Sequence, residues 1–199
     1  MCGITGGANQ ILRCFELNNI YFIGLMGAGK TTIGRLLAKQ MGRDFYDSDV
    51  EIERKTGVKI PLIFELEGEA GFRKRETAAI EELSQLDNVI VATGGGAVLL
   101  EENRVFLKNS GKIIYLRAKV QDLYQRTRND KSRPLLQGTN PRQKLEQLYI
   151  ARDPIYTELA DCIVDTGAQS ANEITHHIEQ LLLEQKTPAA TKLNQADKP

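Results

Sequence analysis

The chain has 199 residues, 41% of them apolar, and its 26 basic and 26 acidic side chains cancel. That length and composition predict one domain with a packed core and exclude a disordered chain. The charge balance argues against nucleic-acid or membrane-surface partners, no apolar run approaches a membrane span, and no signal peptide opens the chain.

Residues 1–18 carry Gly3, Gly6 and Gly7 without a clear period and read as an N-terminal extension. A strand-like apolar run follows at 20–25 and leads into Gly24-Leu25-Met26-Gly27-Ala28-Gly29-Lys30-Thr31. This matches the phosphate-binding pattern G-x-x-x-x-G-K-[ST] at every fixed position. A helix predicted at 30–42 completes the strand–loop–helix context. Glycines let backbone N–H groups approach phosphates, and the helix N-terminus adds partial positive charge. Lys30 is then the β/γ-phosphate ligand and the Thr31 hydroxyl a Mg²⁺ ligand.

A second strand at 44–47 ends in Asp47-Ser48-Asp49, before helices at 48–56 and 60–86. If strand geometry persists there, the two carboxylates point in different directions. Asp47 then faces metal-bound water and Asp49 a substrate hydroxyl. The plainer reading is a cap, by Ser48 or Asp49, on a helix starting near Val50. Arg73 lies within Gly71-Phe72-Arg73-Lys74-Arg75-Glu76 on the second of these helices. A third strand, 88–93, runs into Gly94-Gly95-Gly96, either an ordinary turn or a bare peptide surface for a polar small molecule.

A helix at 99–109, a strand at 112–117 and a helix at 119–128 come next. Arg126, Arg128, Lys131 and Arg133 then stand among turn-forming residues before Pro134, a composition that suits a lid over nucleotide phosphates. Arg152, in Ala151-Arg152-Asp153-Pro154, lies on a helix predicted at 141–158. Two converging arginines would select an anionic substrate through bidentate pairing. A single arginine is more often a solvated helix face, and the sequence does not say which ones converge. A strand at 161–165 and a helix at 170–186 complete the domain, with His176 and His177 on a solvated face. The composition from Thr187 onward predicts a disordered tail. Cys2, Cys14 and Cys162 are odd in number and widely spaced, which predicts free thiols in a reducing, cytoplasmic setting.

Alternation of strand and helix implies βαβ units and a parallel sheet with helices on both faces. Ligands in such sheets bind at the carboxyl ends of the strands. The first three predicted strands end in the phosphate loop, the Asp47/Asp49 pair and the triple glycine.

In this order and spacing, GLMGAGKTTIGRLLA, FYDSD, FELEGEAGFRKRE, GGGAV, SRPLL and ARDPIY resemble the shikimate kinases, P-loop kinases of the nucleoside-monophosphate-kinase type. The resemblance covers roughly 19–183. It implies a P-loop three-layer α/β/α sandwich on a five-stranded parallel sheet of order 2-3-1-4-5. It also implies one kinase domain over 19–186, with a substrate-binding segment at 48–74 and a mobile lid at 127–140. The implied reaction moves the ATP γ-phosphoryl group to the 3-hydroxyl of shikimate, a step of chorismate and aromatic amino-acid biosynthesis.

Carried over by position, Gly27, Ala28, Gly29, Lys30, Thr31 and Thr32 bind ATP, with Thr31 on Mg²⁺ and Asp47 on its water. Arg126 covers the adenine, Gln169 borders it, and Arg133 reaches the phosphates from the lid. Asp49 binds the shikimate hydroxyls as the proposed base, Arg73 and Arg152 grip the carboxylate, and Gly94, Gly95 and Gly96 offer backbone to the ring. The expected cofactor is Mg²⁺, and the expected partners are ATP and shikimate alone, with the protein a monomer. Two other readings are a gluconate or nucleotide kinase on the same scaffold and a non-catalytic ATP-binding module.

Overall fold

In a computed structural model, residues 19–128, 140–167 and 169–184 are described. The expected N-terminal extension and C-terminal tail, Arg133 and nearly all of the expected lid lie outside the described residues. Strand β1 (Asn19–Ile23) is buried at every position. An unbroken buried run of this kind belongs to a central parallel strand covered on both faces. Its buried Asn19 is fully engaged: the side-chain amide donates to Leu86 O at 2.6 Å and its oxygen accepts from Val89 N–H at 3.0 Å.

The other strands are β2 (Phe45–Asp47), β3 (Ile90–Ala92), β4 (Gly111–Arg117) and β5 (Cys162–Asp165). They form one five-stranded sheet in the order β2-β3-β1-β4-β5, parallel throughout. Tyr21 of β1 stands beside Val91 of β3 and Ile113 of β4. The order expected from the resemblance is therefore the one found. Every strand points its carboxyl end the same way, so the loops after β1, β2 and β3 share one edge.

Helix α1 (Lys30–Met41) follows the phosphate loop, and α2 (Ser48–Thr56) and α3 (Ile60–Ser84) follow β2. Helix α4 (Glu101–Ser110) precedes β4, α5 (Val120–Thr127) and α6 (Pro141–Leu159) come before β5, and α7 (Ala171–Glu184) closes the described chain. Helix α1 packs with α7, α3 with α4, and α5 with α6. Among the described residues no helix is long and apolar enough to cross a membrane.

Two departures from the expected elements matter. The stretch 60–84 is broken at Gly68, whose φ of 67° and ψ of −174° kink the helix. The Arg75 guanidinium spans that kink with bonds of 2.6 and 2.9 Å to the Glu67 carboxylate. Strand β2 stops at Asp47, in keeping with the expected 44–47 and 48–56 spans, so strand geometry does not persist to Asp49. Asp47 itself caps α2, its carboxylate accepting from Asp49 N–H at 3.1 Å, so the helix starts at Ser48. An oxygen acceptor at this position satisfies an otherwise unpaired N–H of the first turn.

The main core lies on both sides of the sheet, and a smaller cluster of Ile52, Ile63, Phe72 and Ala79 sits between α2 and α3. That satellite gives the 48–74 segment packing of its own, and it carries one wall of the site.

Candidate active site

Gly29 holds φ 99° and ψ 9° directly before α1, a left-handed conformation that glycine adopts without steric cost. It turns the loop over the first turn of the helix. Lys30 folds its ammonium back onto the loop, donating to Gly24 O at 2.8 Å and Leu25 O at 3.0 Å. Thr31 Oγ1 donates to Asp47 Oδ2 at 2.7 Å, which ties the phosphate loop to the end of β2. Asp47 thus serves two N–H and O–H donors at once, one on each carboxylate oxygen.

A cavity of about 760 Å³ opens at the shared strand edge. Gly27, Gly29, Lys30, Thr31 and Thr32 line it on one side, Asp47 and Asp49 line it where β2 passes into α2, and Gly94, Gly95 and Gly96 lie beside them. Arg73, Arg126 and Arg152 line it as well. Residues from β1, β2 and β3 ends and from α3, α5 and α6 therefore meet in one space. Asp49 reaches it from the first turn of α2 rather than from the strand, which corrects the strand-end geometry expected for the pair.

The triple glycine is held from several sides. Gly94 N–H donates to Ser48 Oγ at 2.9 Å. Gly95 O accepts from Arg152 Nη1 at 3.1 Å and from the Tyr156 hydroxyl at 2.5 Å. A Cβ at Gly95 would lie 3.5 Å from Gly24 O and from Met26 N, so this turn abuts the phosphate loop. A Cβ at Gly94 would press on Glu76 Oε1 at 2.6 Å and Asp49 Oδ1 at 2.8 Å, and one at Gly96 would overlap the Arg73 guanidinium. The bare backbone is thus required by close approach of charged side chains. Among the described residues neither Gly95 nor Gly96 has a hydrogen-bond partner for its N–H.

Arg73 is paired with Glu76 at 2.5 Å and with Glu69 at 2.9 Å, and its guanidinium lies 5.4 Å from the Phe72 ring. Burial works against its charge, but the two carboxylates outweigh that and raise its pKa. Glu76 is fully buried. Burial pushes its carboxyl up, and the guanidinium groups of Arg73 and Arg152 pull the other way. Its second oxygen, Oε1, has no hydrogen-bond partner among the described residues.

Glu76 and Tyr156 were not among the expected site residues. Each has a signal of helical spacing: Glu76 stands three residues after Arg73 and Tyr156 four after Arg152, on the same helix faces. Phe64 and Phe72, with ring centroids 4.7 Å apart, add an apolar wall.

Two expected nucleotide contacts, Ala28 and Gln169, do not line the cavity, and a third, Arg126, is engaged by backbone carbonyls. Ala28 is buried in the core, and its N–H donates to Leu25 O at 3.2 Å. Gln169 is exposed and does not line the cavity. Arg126 lines it but donates to Gly27 O at 3.2 Å, Thr166 O at 2.6 Å and Gly167 O at 3.1 Å. It joins the phosphate loop to the loop after β5.

The sequence and the fold have counterparts among known proteins. The sequence profile of a family described as Shikimate kinase matches residues 26–183. A shikimate kinase of Thiobacillus denitrificans is 61% identical over 158 residues, which is 79% of this chain and 86% of that protein. One of Burkholderia lata is 56% identical over 160 residues, 80% of this chain and 87% of that protein. The solved shikimate kinase from Acinetobacter baumannii in complex with shikimate is 51% identical, with a TM-score of 0.85 over 88% of this chain and 99% of that one. On fold, site and relatives alike, the chain belongs to the shikimate kinase family of ATP-dependent enzymes.

Proposed function

We propose that the cavity binds ATP and shikimate together and transfers the γ-phosphoryl group to the shikimate 3-hydroxyl, releasing shikimate 3-phosphate and ADP. The observation that carries this reading is the meeting of Arg73, Arg152 and the N–H groups of Gly95 and Gly96, unpartnered among the described residues, beside Asp49 and the phosphate loop. Two guanidinium groups and two peptide donors suit a carboxylate. Asp49 beside them suits a hydroxyl on the same small molecule. The relative from Acinetobacter, whose structure holds shikimate, supports the choice of acid.

Phosphoryl transfer needs positioning and charge stabilisation more than covalent help. Lys30 would leave the Gly24 and Leu25 carbonyls for the phosphate oxygens. Asp49 aligns the attacking hydroxyl and accepts its proton. Arg73 and Arg152 fix the acid end, so that the hydroxyl meets the γ-phosphate in line. Arg126 borders the nucleotide, and Arg133 closes on the phosphates from the lid.

The Thr31 hydroxyl and the Asp47 carboxylate, 2.7 Å apart, are hard oxygen groups that fit Mg²⁺. Thr31 would hold the ion directly and Asp47 through a water. Bound there, the ion would offset negative charge on the phosphates. The segment 48–74 is the acid-binding unit, and the protein acts as a cytoplasmic monomer; the free thiol of Cys162 suits a reducing compartment.

A coupled ADP-release assay with shikimate, gluconate and AMP as acceptors tests the reading. Shikimate alone should drive ADP production. Preference for gluconate or AMP would reassign the acceptor, and ADP release indifferent to every acceptor would end the kinase assignment.

A further inference from the structure

We propose that Tyr156 is a positioning residue for acid binding, holding the glycine turn and Arg152 in one arrangement through its bond to Gly95 O. This rests on the reading of the cavity as a carboxylate site and names a residue through which that site is built. Tyr156 is fully buried, and its hydroxyl donates to Gly95 O at 2.5 Å. Arg152, one helical turn earlier on the same face of α6, donates to the same oxygen at 3.1 Å. A carbonyl with two lone pairs accepts both. Two donors from one helix face therefore fix the orientation of the peptide whose neighbouring N–H groups border the cavity.

The surrounding contacts fit this role. Pro154 lies inside α6 between the two residues and lacks the N–H that a helix interior uses, so the helix backbone is weakest there. Side-chain bonds hold that turn instead. The Tyr115 hydroxyl donates to Asp153 Oδ1 at 2.7 Å, and its ring packs on the Tyr156 ring with centroids 4.9 Å apart. Burial pushes the Tyr156 hydroxyl up to about 12, so it remains a proton donor throughout the neutral range. The residue touches neither the acid nor the nucleotide; it acts through Gly95 and Arg152.

The test titrates shikimate and, separately, ADP into the full chain and its Tyr156→Phe variant by calorimetry, with steady-state KM and kcat measured alongside. Removing one oxygen should raise the shikimate Kd and KM about tenfold, the size of one lost hydrogen bond. The ADP Kd, the ATP KM and kcat should stay unchanged. An unchanged shikimate Kd in Tyr156→Phe, or equal losses for shikimate and ADP, overturns the positioning role while leaving the acid site standing. A wild-type chain that does not bind shikimate overturns the acid site and this role with it. Melting temperatures of both chains are measured alongside: a Tyr156→Phe chain that fails to fold, or that melts well below the wild type, shows that the hydroxyl serves the core and likewise overturns the positioning role.

Discussion

At the scale of single residues, Lys30 and Arg152 are proposed to serve different substrates, and their variants should tell the two apart. Lys30 now satisfies its ammonium on Gly24 and Leu25 carbonyls, so it belongs to the loop until phosphates replace them. Lys30→Ala should lower kcat by about a thousandfold, the scale of losing one charge-stabilising donor. Its thermal melting should match the wild type, because the core does not depend on this side chain. Near-normal turnover would refute its role. Arg152 is buried, bonds to Gly95 O, and is proposed to grip the acid. Arg152→Ala should raise the shikimate KM about a hundredfold, the loss expected from a charge-assisted pair, and leave the ATP KM nearly unchanged. Equal rises in both would show that Arg152 does not grip the acid. Lys30 was legible because a motif names it. Glu76 was not, because helical spacing from Arg73 suits Glu69 and Glu76 alike and does not mark which of the two is buried.

At the scale of elements, the site is made where strand ends turn into helices. Gly96 has φ −96° and ψ −5°, which any residue can adopt. What forbids a side chain is the Arg73 guanidinium lying where the Cβ would stand. Gly96→Ala should therefore displace Arg73 and raise the shikimate KM by about tenfold, at little cost to stability. A crystal structure of the variant with Arg73 unmoved would contradict this. Strands β4 and β5 carry a different device, the bidentate pair of Arg117 with Asp165 at 2.8 and 2.9 Å. The hydrogen bonds from Arg117 hold the Asp165 carboxyl below the ordinary 3.8. A carboxyl with a depressed folded pKa binds fewer protons when folded, so its contribution is present above 3.8 and fades as pH falls through the lower folded value. The pair is exposed, so its worth is under about 1 kcal/mol. Urea midpoints should therefore favour wild type over Asp165→Asn slightly at neutral pH and not at all in strong acid. A gap that persists in acid would point to packing instead.

At the scale of the molecule, one sheet does the assembling. The main core surrounds the strands, while the cavity is walled by loops and, through Ile60, Phe64 and Phe72, by the face of the smaller cluster between α2 and α3. Loss of the expected metal should therefore silence the enzyme without unfolding it. Chelation by EDTA should abolish ADP release, leave the melting temperature unchanged, and be reversed by added Mg²⁺. Full activity in EDTA would remove Thr31 and Asp47 from the metal role.

The alternation of strand-like and helical runs was enough to read the elements, because burial on both faces of a parallel strand and on one stripe of a helix leaves different periods. The phosphate loop was equally plain, since its glycines and Lys30 are contiguous and carry their mechanism locally. Other parts were decided only by the tertiary structure. Asp47 proved to be the helix cap in place of Ser48 or Asp49, and Asp49 a residue of the first helical turn, because the helix starts directly after Asp47 and not near Val50. The kink at Gly68 follows from one residue's φ, which a long helical pattern conceals. Arg73 and Arg152 are far apart along the chain and resemble any solvated helix arginine. Their meeting on either side of the triple glycine depends on β1 lying between β3 and β4, a pairing of distant segments that no local pattern encodes.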